Sequence, residues 1–378
     1  MVAPTGDRRK RRNGVPRTTP MVRQIFHEGD DLYDDMVRII GQARQRVWME
    51  SYIFKGDRVG RRIAAALARA ARRGLDVRLH IDAAGSLFLF PRRLQRRLRE
   101  AGVRVRRFHR WSWRDPWRYN RRNHCKLLIV DQAFVYLGGF NIHEESSRRF
   151  HGDERWRDTH VRLDSEYLAR QGAELFELFW TRRVPADLRR PRPPDLLAGD
   201  MLVTNRLPRH RHAMRYLLRL GLHRARERVY LTTPYFAPDP LTARHLVDAA
   251  RRGLELRLLL PARSDIRLLQ LTARHLYARF LRAGVRIFEY TPRTLHAKTM
   301  VADADWASIG SANLDFRSFL HNYEIHYVTT DSATCLALRQ QFEDDLRLAT
   351  EVTLDSLGRH PWWERLGGWL GWQFRWWL

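Results

Sequence analysis

"HCKLLIVD", residues 124–131, is answered by "HAKTMVAD", residues 296–303, at an offset of 172. The chain holds 69 Lys plus Arg, yet only Lys10, Lys55, Lys126 and Lys298 are lysine. Two of those four therefore stand at the same place in the two copies. An Arg would preserve the charge, so a basic surface alone does not account for them.

Working outward from this pair, the match continues on both sides. "QRVWMESYIFKGD" (45–57) corresponds to "ERVYLTTPYFAPD" (227–239), and "ARRGLDVRLHID" (71–82) to "ARRGLELRLLLP" (250–261). Downstream, Gly138 pairs with Gly310, Gly139 with Ser311 and Asn141 with Asn313. Aligning His160 with His326 then sets Asp158 against Glu324. Apolar runs such as "VRLHI" alternate with helical stretches such as "GRRIAAALARAARR", each stopped by "RRG". Each half reads as strand, helix, strand, helix, strand, so the chain is an α/β duplication. A structural repeat explains recurring apolar residues and glycines; it does not explain a recurring His, Lys, Asn and acid.

In an extended segment residues i and i+2 share a face, so His124 with Lys126, and His296 with Lys298, each present an imidazole beside an ammonium. Asp131 and Asp303 come seven residues after each His, a spacing that turns them away from it. They read as turn or ion-pair residues first and catalytic residues second. If the halves pack face to face about a pseudo-twofold axis, two imidazoles, two ammoniums and two amides surround one anion. That inventory suits phosphoryl transfer. One imidazole attacks phosphorus and forms a phosphohistidine, and the other serves as general acid and then base. Lys126, Lys298, Asn141 and Asn313, with Gly139 and Ser311, are the candidate phosphate ligands. Asp158 and Glu324 are candidates to orient the imidazoles. The fixed cations supply the charge stabilisation a metal would give, so neither metal nor cofactor is expected.

A formal charge of +27 points to an anionic partner: nucleic acid, an anionic membrane or a phosphorylated substrate. Heavy Arg usage from a GC-rich genome contributes as well. Two cysteines are too few for a disulfide framework, which places the chain in a reducing compartment. No run of 18 apolar residues occurs, so no spanning helix is expected. The expected organisation is a basic arm over 1–22, lobes over 23–185 and 201–350 joined by a Pro-rich linker over 186–200, and a tail over 351–378. The offset falls from 182 to 172 because 106–123, with Trp111, Trp113, Trp117 and seven Arg, replaces the shorter 288–295. The tail carries Trp362, Trp363, Trp369, Trp372, Trp376 and Trp377, six of the chain's 13 Trp. Trp with Arg is an interfacial composition, and Gly367, Gly368 and Gly371 weaken a rigid packing helix, so the membrane reading is preferred for the tail. Trp111, Trp113 and Trp117, and in the tail Trp362, Trp363, Trp369, Trp376 and Trp377, are the candidate membrane contacts.

The doubled H-x-K-x-x-x-x-D, each followed by Gly-Gly or Gly-Ser and an Asn, resembles the phospholipase D superfamily from about residue 24 to about residue 347. "ESYIFKGDRVG", "GGFNI", "RDTHVRL", "GSANLDFRS" and "HNYEI" resemble its cardiolipin synthase branch. The resemblance implies a bilobal fold of two mixed β-sheets flanked by helices, with one active site at the pseudo-twofold interface. It implies transfer of a phosphatidyl group between phospholipids, as in two phosphatidylglycerols giving cardiolipin and glycerol. It puts the nucleophile at His124 and the acid at His296, with the reverse assignment open. Longer members begin with transmembrane helices; this chain resembles the shorter type, peripheral at the cytoplasmic face of the bacterial inner membrane. The expected partner is an anionic phospholipid membrane, with no nucleic acid and no obligate protein. A phosphodiesterase or nuclease built on the same site is the alternative, and a binding protein with a relic site a third.

Overall fold

The repeat folds into the same sheet twice in a computed structural model that describes residues 21–114, 119–181, 199–207, 210–359 and 361–376. Residues 1–20 of the expected basic arm, 186–198 of the expected linker, Trp117 and Trp377 lie outside the described residues.

The first half supplies β1 (Val22–Phe26), β2 (Arg46–Ser51), β3 (Asp76–Asp82), β4 (Arg104–Phe108), β5 (Leu127–Val130), β6 (Phe134–Gly138) and β7 (His160–Asp164). The second supplies β8 (Met201–Thr204), β9 (Arg228–Thr232), β10 (Phe236–Ala237), β11 (Glu255–Pro261), β12 (Arg286–Tyr290), β13 (Thr299–Ala302), β14 (Trp306–Gly310), β15 (Leu314–Asp315), β16 (Ile325–Thr329) and β17 (Ala349–Val352). The first sheet runs β1-β7-β6-β5-β2-β3-β4, and the second β8-β16-β14-β13-β9-β11-β12-β17. In each, three parallel strands joined by helices meet an antiparallel set, so both sheets are mixed. The edge strand β17 has no counterpart beside β4 among the described residues.

Local signals recur with the repeat. Asp57 caps helix Arg58–Arg72 by accepting from Gly60 N–H, and its equivalent Asp239 caps helix Pro240–Arg251 by accepting from Leu241 and Thr242. Both helices end just before the "RRG" glycines, Gly74 and Gly253.

The two sheets face each other across a shared apolar layer. Leu127, Ile129, Val135 and Val161 from the first pack with Val301, Ile309, Ile325 and Tyr327 from the second. Helices Glu166–Thr181 and Ser332–Arg347 add Phe176 and Phe342. Burying apolar area on this scale makes the lobes one body, so the groups at their junction keep fixed spacing. Because β2 and β5 are antiparallel, the C-terminal end of β2 lies beside the segment entering β5. The same holds for β9 and β13. All the repeated polar residues except Asp131 and Asp303 thus collect at one end of the paired sheets.

The tail forms helix Trp362–Gln373 against helix Arg267–Leu281. The expectation that its glycines oppose packing is corrected. A Cβ on Gly371 would lie 2.1 Å from Thr272 Oγ1, and one on Gly368 2.5 Å from the Leu271 carbonyl, so these glycines are the docking face. Trp362, Trp363, Trp369 and Trp376 stay exposed. Among the described residues no helix is long and apolar enough to cross a membrane.

Candidate active site

His124 and Lys126 lie in the extended run that enters β5, and His296 and Lys298 in the run that enters β13. Each run pairs with the opposite lobe through a parallel bridge, Asn123 to Tyr323 and Leu295 to Arg157. The backbone N–H of His124 donates to the Tyr323 carbonyl at 3.0 Å, and that of His296 to the Arg157 carbonyl at 2.7 Å. The residue after each of those carbonyls is the repeated acid. Each histidine is therefore seated on the strand that brings the other lobe's carboxylate.

The side chains complete this exchange. His124 Nδ1 lies 3.0 Å from both oxygens of Glu324, and His296 Nδ1 lies 2.6 Å from Asp158 Oδ2. With Nδ1–H donated to Glu324, Nε2 of His124 carries the lone pair, whereas His296 Nδ1 faces both the Asp158 carboxylate and the Lys298 ammonium. Both rings line the same cleft, of about 350 Å³, with Asn141, Asn313, Tyr52, Trp156 and Arg317. The lysines are buried behind them. Lys126 Nζ donates to the His124 carbonyl at 2.8 Å, while Lys298 Nζ lies 2.8 Å from His296 Nδ1 and 3.8 Å from Asp158.

Burial sets the protonation states. It pushes His124 down to about 4, with Lys126 adding to the shift and Glu324 opposing it. Burial and the Lys298 charge likewise lower His296 against the pull of Asp158. Lys126 falls to about 7 through burial and the neighbouring Lys298 charge, and Lys298 to about 8 through burial. Burial alone would raise the two acids; His296 and Lys298 hold Asp158 low, and His124 and Lys126 hold Glu324 low. The repeated groups alone, two ammoniums, two carboxylates and two neutral rings, sum to zero. An incoming phosphodiester brings one negative charge that a proton on one imidazole would balance.

Several sequence expectations change here. Asp131 and Asp303 are not in the cleft. The Asp131 carboxylate accepts from the amides of Arg44, Gln45 and Arg46 at 2.8–3.2 Å, and Asp303 does the same for Arg226, Glu227 and Arg228 at 2.8–3.1 Å. Both take left-handed backbone, φ 55° and 50°, which Asp tolerates at a tight turn. They tie the far ends of β5 and β13 to the starts of β2 and β9. Asp131→Ala is expected to lower stability by about 1–3 kcal/mol through those lost charge-assisted bonds, while activity per folded molecule stays within about twofold. Thermal melting and activity measured on the same sample check this.

Gly139 and Ser311 are also corrected, since each is taken up by the repeated acid of its own lobe. Ser311 Oγ donates to Glu324 and accepts from Ile325 N–H at 3.0 Å. At the equivalent position a Cβ on Gly139 would sit 2.0 Å from Asp158 Oδ1. One copy supports its acid with a hydroxyl and the other makes room for it. Asn141 and Asn313 do line the cleft. Ile53 N–H donates to Asn141 Oδ1 at 3.2 Å, leaving the amide nitrogen for a ligand, and the buried Asn313 Oδ1 has no partner among the described residues. Trp111 and Trp113 are exposed on the loop after β4.

The sequence reading missed Tyr52, Trp156, Tyr235 and Arg317. The Tyr52 ring meets His124 edge-on at 4.8 Å, and Trp156 lies 5.1 Å from His296. Tyr235 is 6.3 Å from His296 and its hydroxyl donates to Asp265. "SYIF", "PYF" and "DFRS" lay inside the repeated or family-like blocks, so their position was a usable signal.

Residues 36–180 and 218–346 match the family described as "Cardiolipin synthase, PLD-like domain". Cardiolipin synthase A of Pseudomonas fluorescens is 35% identical over 337 residues, covering 88% of this chain and 70% of that protein. A cardiolipin synthase of Clostridium perfringens is 30% identical over 356 residues, covering 91% and 74%. Among solved structures, phosphatidylserine synthase of Haemophilus influenzae superimposes with a TM-score of 0.72 at 12% identity, over 94% of this chain and 95% of that one, a likeness of fold.

Proposed function

Because the chain belongs to the cardiolipin synthase, phospholipase D-like family and is a phosphatidyltransferase, we propose that it joins two phosphatidylglycerols into cardiolipin and glycerol through His124. The observation that carries this reading is the crossed pair of imidazole–carboxylate contacts on one cleft.

In the first step the His124 Nε2 lone pair attacks phosphorus. The bond from phosphorus to the glycerol headgroup oxygen breaks, and that oxygen takes the proton from His296 Nε2. A phosphatidyl group is left on His124 and glycerol departs. In the second step the headgroup hydroxyl of another phosphatidylglycerol gives its proton to His296 and attacks the same phosphorus. The nitrogen–phosphorus bond breaks and its electron pair returns to His124, so no proton is gained or lost over the cycle. Glu324 and Asp158 hold the reacting tautomers and stabilise each imidazolium as it forms. Lys126, Lys298, Asn141 and Asn313 hold the non-bridging oxygens, whose charge peaks at the pentacoordinate stage. Tyr52 and Trp156 flank the rings and limit water, which competes with the alcohol in the second step.

Phospholipid is the substrate class of the family. For this chain we propose a peripheral position at the cytoplasmic face of the cell membrane, with an anionic phospholipid surface as partner. Exposed Trp362, Trp363, Trp369 and Trp376 on the docked tail helix, and Trp111 and Trp113 on the other lobe, support it.

The protonation states give a pH signature. His124 must be neutral to attack, so kcat/KM should rise as pH passes about 4. His296 must be protonated to act as the acid, and burial and the Lys298 charge leave it neutral in the free protein, so kcat/KM should fall once pH passes about 4, and more steeply as Lys126 and Lys298 lose their charge at about 7 to 8. A bound phosphodiester raises both lysines, which moves the alkaline limb of kcat to higher pH than that of kcat/KM. Coincident alkaline limbs would contradict this assignment. The activity itself is tested by incubating the pure protein with phosphatidylglycerol vesicles and resolving the lipids. Equimolar cardiolipin and glycerol are expected; phosphatidic acid alone would mean hydrolysis and sink the transferase reading.

A further inference from the structure

A groove of about 920 Å³ lies outside the cleft, between helix Arg92–Glu100, the end of β4 and the loop that follows it. Arg92, Arg99, Arg107 and Arg110 line it, with Leu87 and Trp111. The one carboxylate in the lining, Glu100, pairs with Arg96 at 3.6 Å. Among the described residues no ion pair reaches Arg92, Arg99, Arg107 or Arg110. Arg99 donates to the Val105 carbonyl at 3.1 Å, and Arg107 to the Phe90 carbonyl and Gln95 Oε1. These are neutral acceptors, in a chain where many other arginines are paired with Asp or Glu. Burial lowers the Arg107 pKa, and the nearby Arg110, Arg92 and Arg99 charges lower it further, as expected for cations held together without a counterion.

Beside the groove stand exposed aromatic side chains. Phe88 is 92% exposed and adopts φ 61°, a left-handed conformation that is costly for a bulky residue. Trp113 is 87% exposed, and Trp111 meets it edge-on at 5.7 Å. Loops following β3 and β4 carry all of these residues. They open at the same end of the first sheet as Tyr52 and the cleft, and Asn120 of the same loop contacts the cleft residue Arg317 at 3.3 Å. Unneutralised guanidinium groups inside and apolar side chains outside match an amphiphile with a charged head.

We propose that this groove binds the phosphodiester headgroup of an anionic phospholipid in the membrane, apart from the reacting pair, while Phe88, Trp111 and Trp113 enter the acyl region beside it. The site would hold the cleft against the surface on which its substrates lie. The choice of lipid over other phosphodiesters rests on the proposed phosphatidyl transfer.

The test compares the full chain with an Arg92→Gln/Arg99→Gln/Arg110→Gln variant by co-sedimentation with phosphatidylcholine vesicles with and without 30% phosphatidylglycerol. Three interfacial cations predict a roughly 100-fold loss of partitioning onto the phosphatidylglycerol vesicles. An Arg44→Gln/Arg69→Gln/Arg72→Gln variant, which removes the same charge where β2 and β3 begin, should lose less than about threefold. Unchanged melting shows that the variants fold. Equal losses in both variants, or none in either, would overturn the groove as a site. So would loss of binding to a single-stranded oligonucleotide with vesicle binding intact. Turnover of monomeric short-chain phosphatidylglycerol is measured in parallel and should match in all three proteins. If none turns it over while the groove variant alone loses vesicles, the transferase reading fails and the groove stands.

Discussion

His124→Ala is expected to abolish cardiolipin formation, with a loss on the order of 10³-fold or more, because it removes the nitrogen that carries the phosphatidyl group between the two steps. His296→Ala should cost roughly 10²- to 10⁴-fold, the usual range for a lost general acid and base. The two losses differ in kind. A donor with a weakly basic leaving group needs no proton in the first step, so it should rescue headgroup release in His296→Ala and not in His124→Ala. Both rings are buried, and each replaces an interlobe contact with a cavity, so melting must accompany the rates. The double variant should be scarcely worse than His124→Ala alone, since groups that act as a unit are not additive.

Lys126→Arg should cost about 10²-fold or more, although the formal charge is kept. Lys126 is only 2% exposed, with its ammonium on the His124 carbonyl and the Tyr52 ring 5.4 Å away. Guanidinium is wider, needs a planar set of acceptors and cannot shed its proton when buried beside a second cation. Lys126 sits in the field of Lys298, and its pKa of about 7 shows how close the pair stands to losing one charge. Two permanent charges in that space would repel without relief until phosphate arrives. Overpacking adds about 1–3 kcal/mol of destabilisation. Lys126→Met removes the charge at similar volume. If Lys126→Arg turned over near normally while Lys126→Met did not, charge alone would suffice, and the sparing use of lysine in this chain would be incidental.

Much of this was legible because the chain says it twice. Apolar alternation and the "RRG" stops located the strands and helices, and the doubled His, Lys, Asn and acid located the cleft. Pairing across the lobes was not legible. Sequence order places Asp158 after His124 and Glu324 after His296, yet Glu324 serves His124 and Asp158 serves His296. Only the parallel bridges Asn123 to Tyr323 and Leu295 to Arg157 impose that exchange, and they form between segments about 140 to 200 residues apart. Asp131 and Asp303 show the opposite failure. Their place at the end of a repeated motif suggested chemistry, while their spacing already said turn, and the backbone amides they accept from belong to a loop some 75 to 87 residues upstream. Gly139 and Ser311 stood among the candidate phosphate ligands as matched positions of the repeat. Their work is to fit and hold a carboxylate, which a one-letter repeat cannot show. In the tail, the glycines that suggested a poor helix are the contact surface of a packed one.

The most direct test of the account is burst stoichiometry with a phosphatidyl p-nitrophenyl ester. In His296→Ala the first step needs no acid, since nitrophenolate leaves unprotonated, and the second step lacks its base. The expected result is release of one equivalent of nitrophenolate per protein followed by a stall, with the phosphatidyl group on His124. His124→Ala should give no burst. A burst that persists in His124→Ala and disappears in His296→Ala would contradict the assignment of the nucleophile, and steady release without a burst in either would contradict covalent transfer.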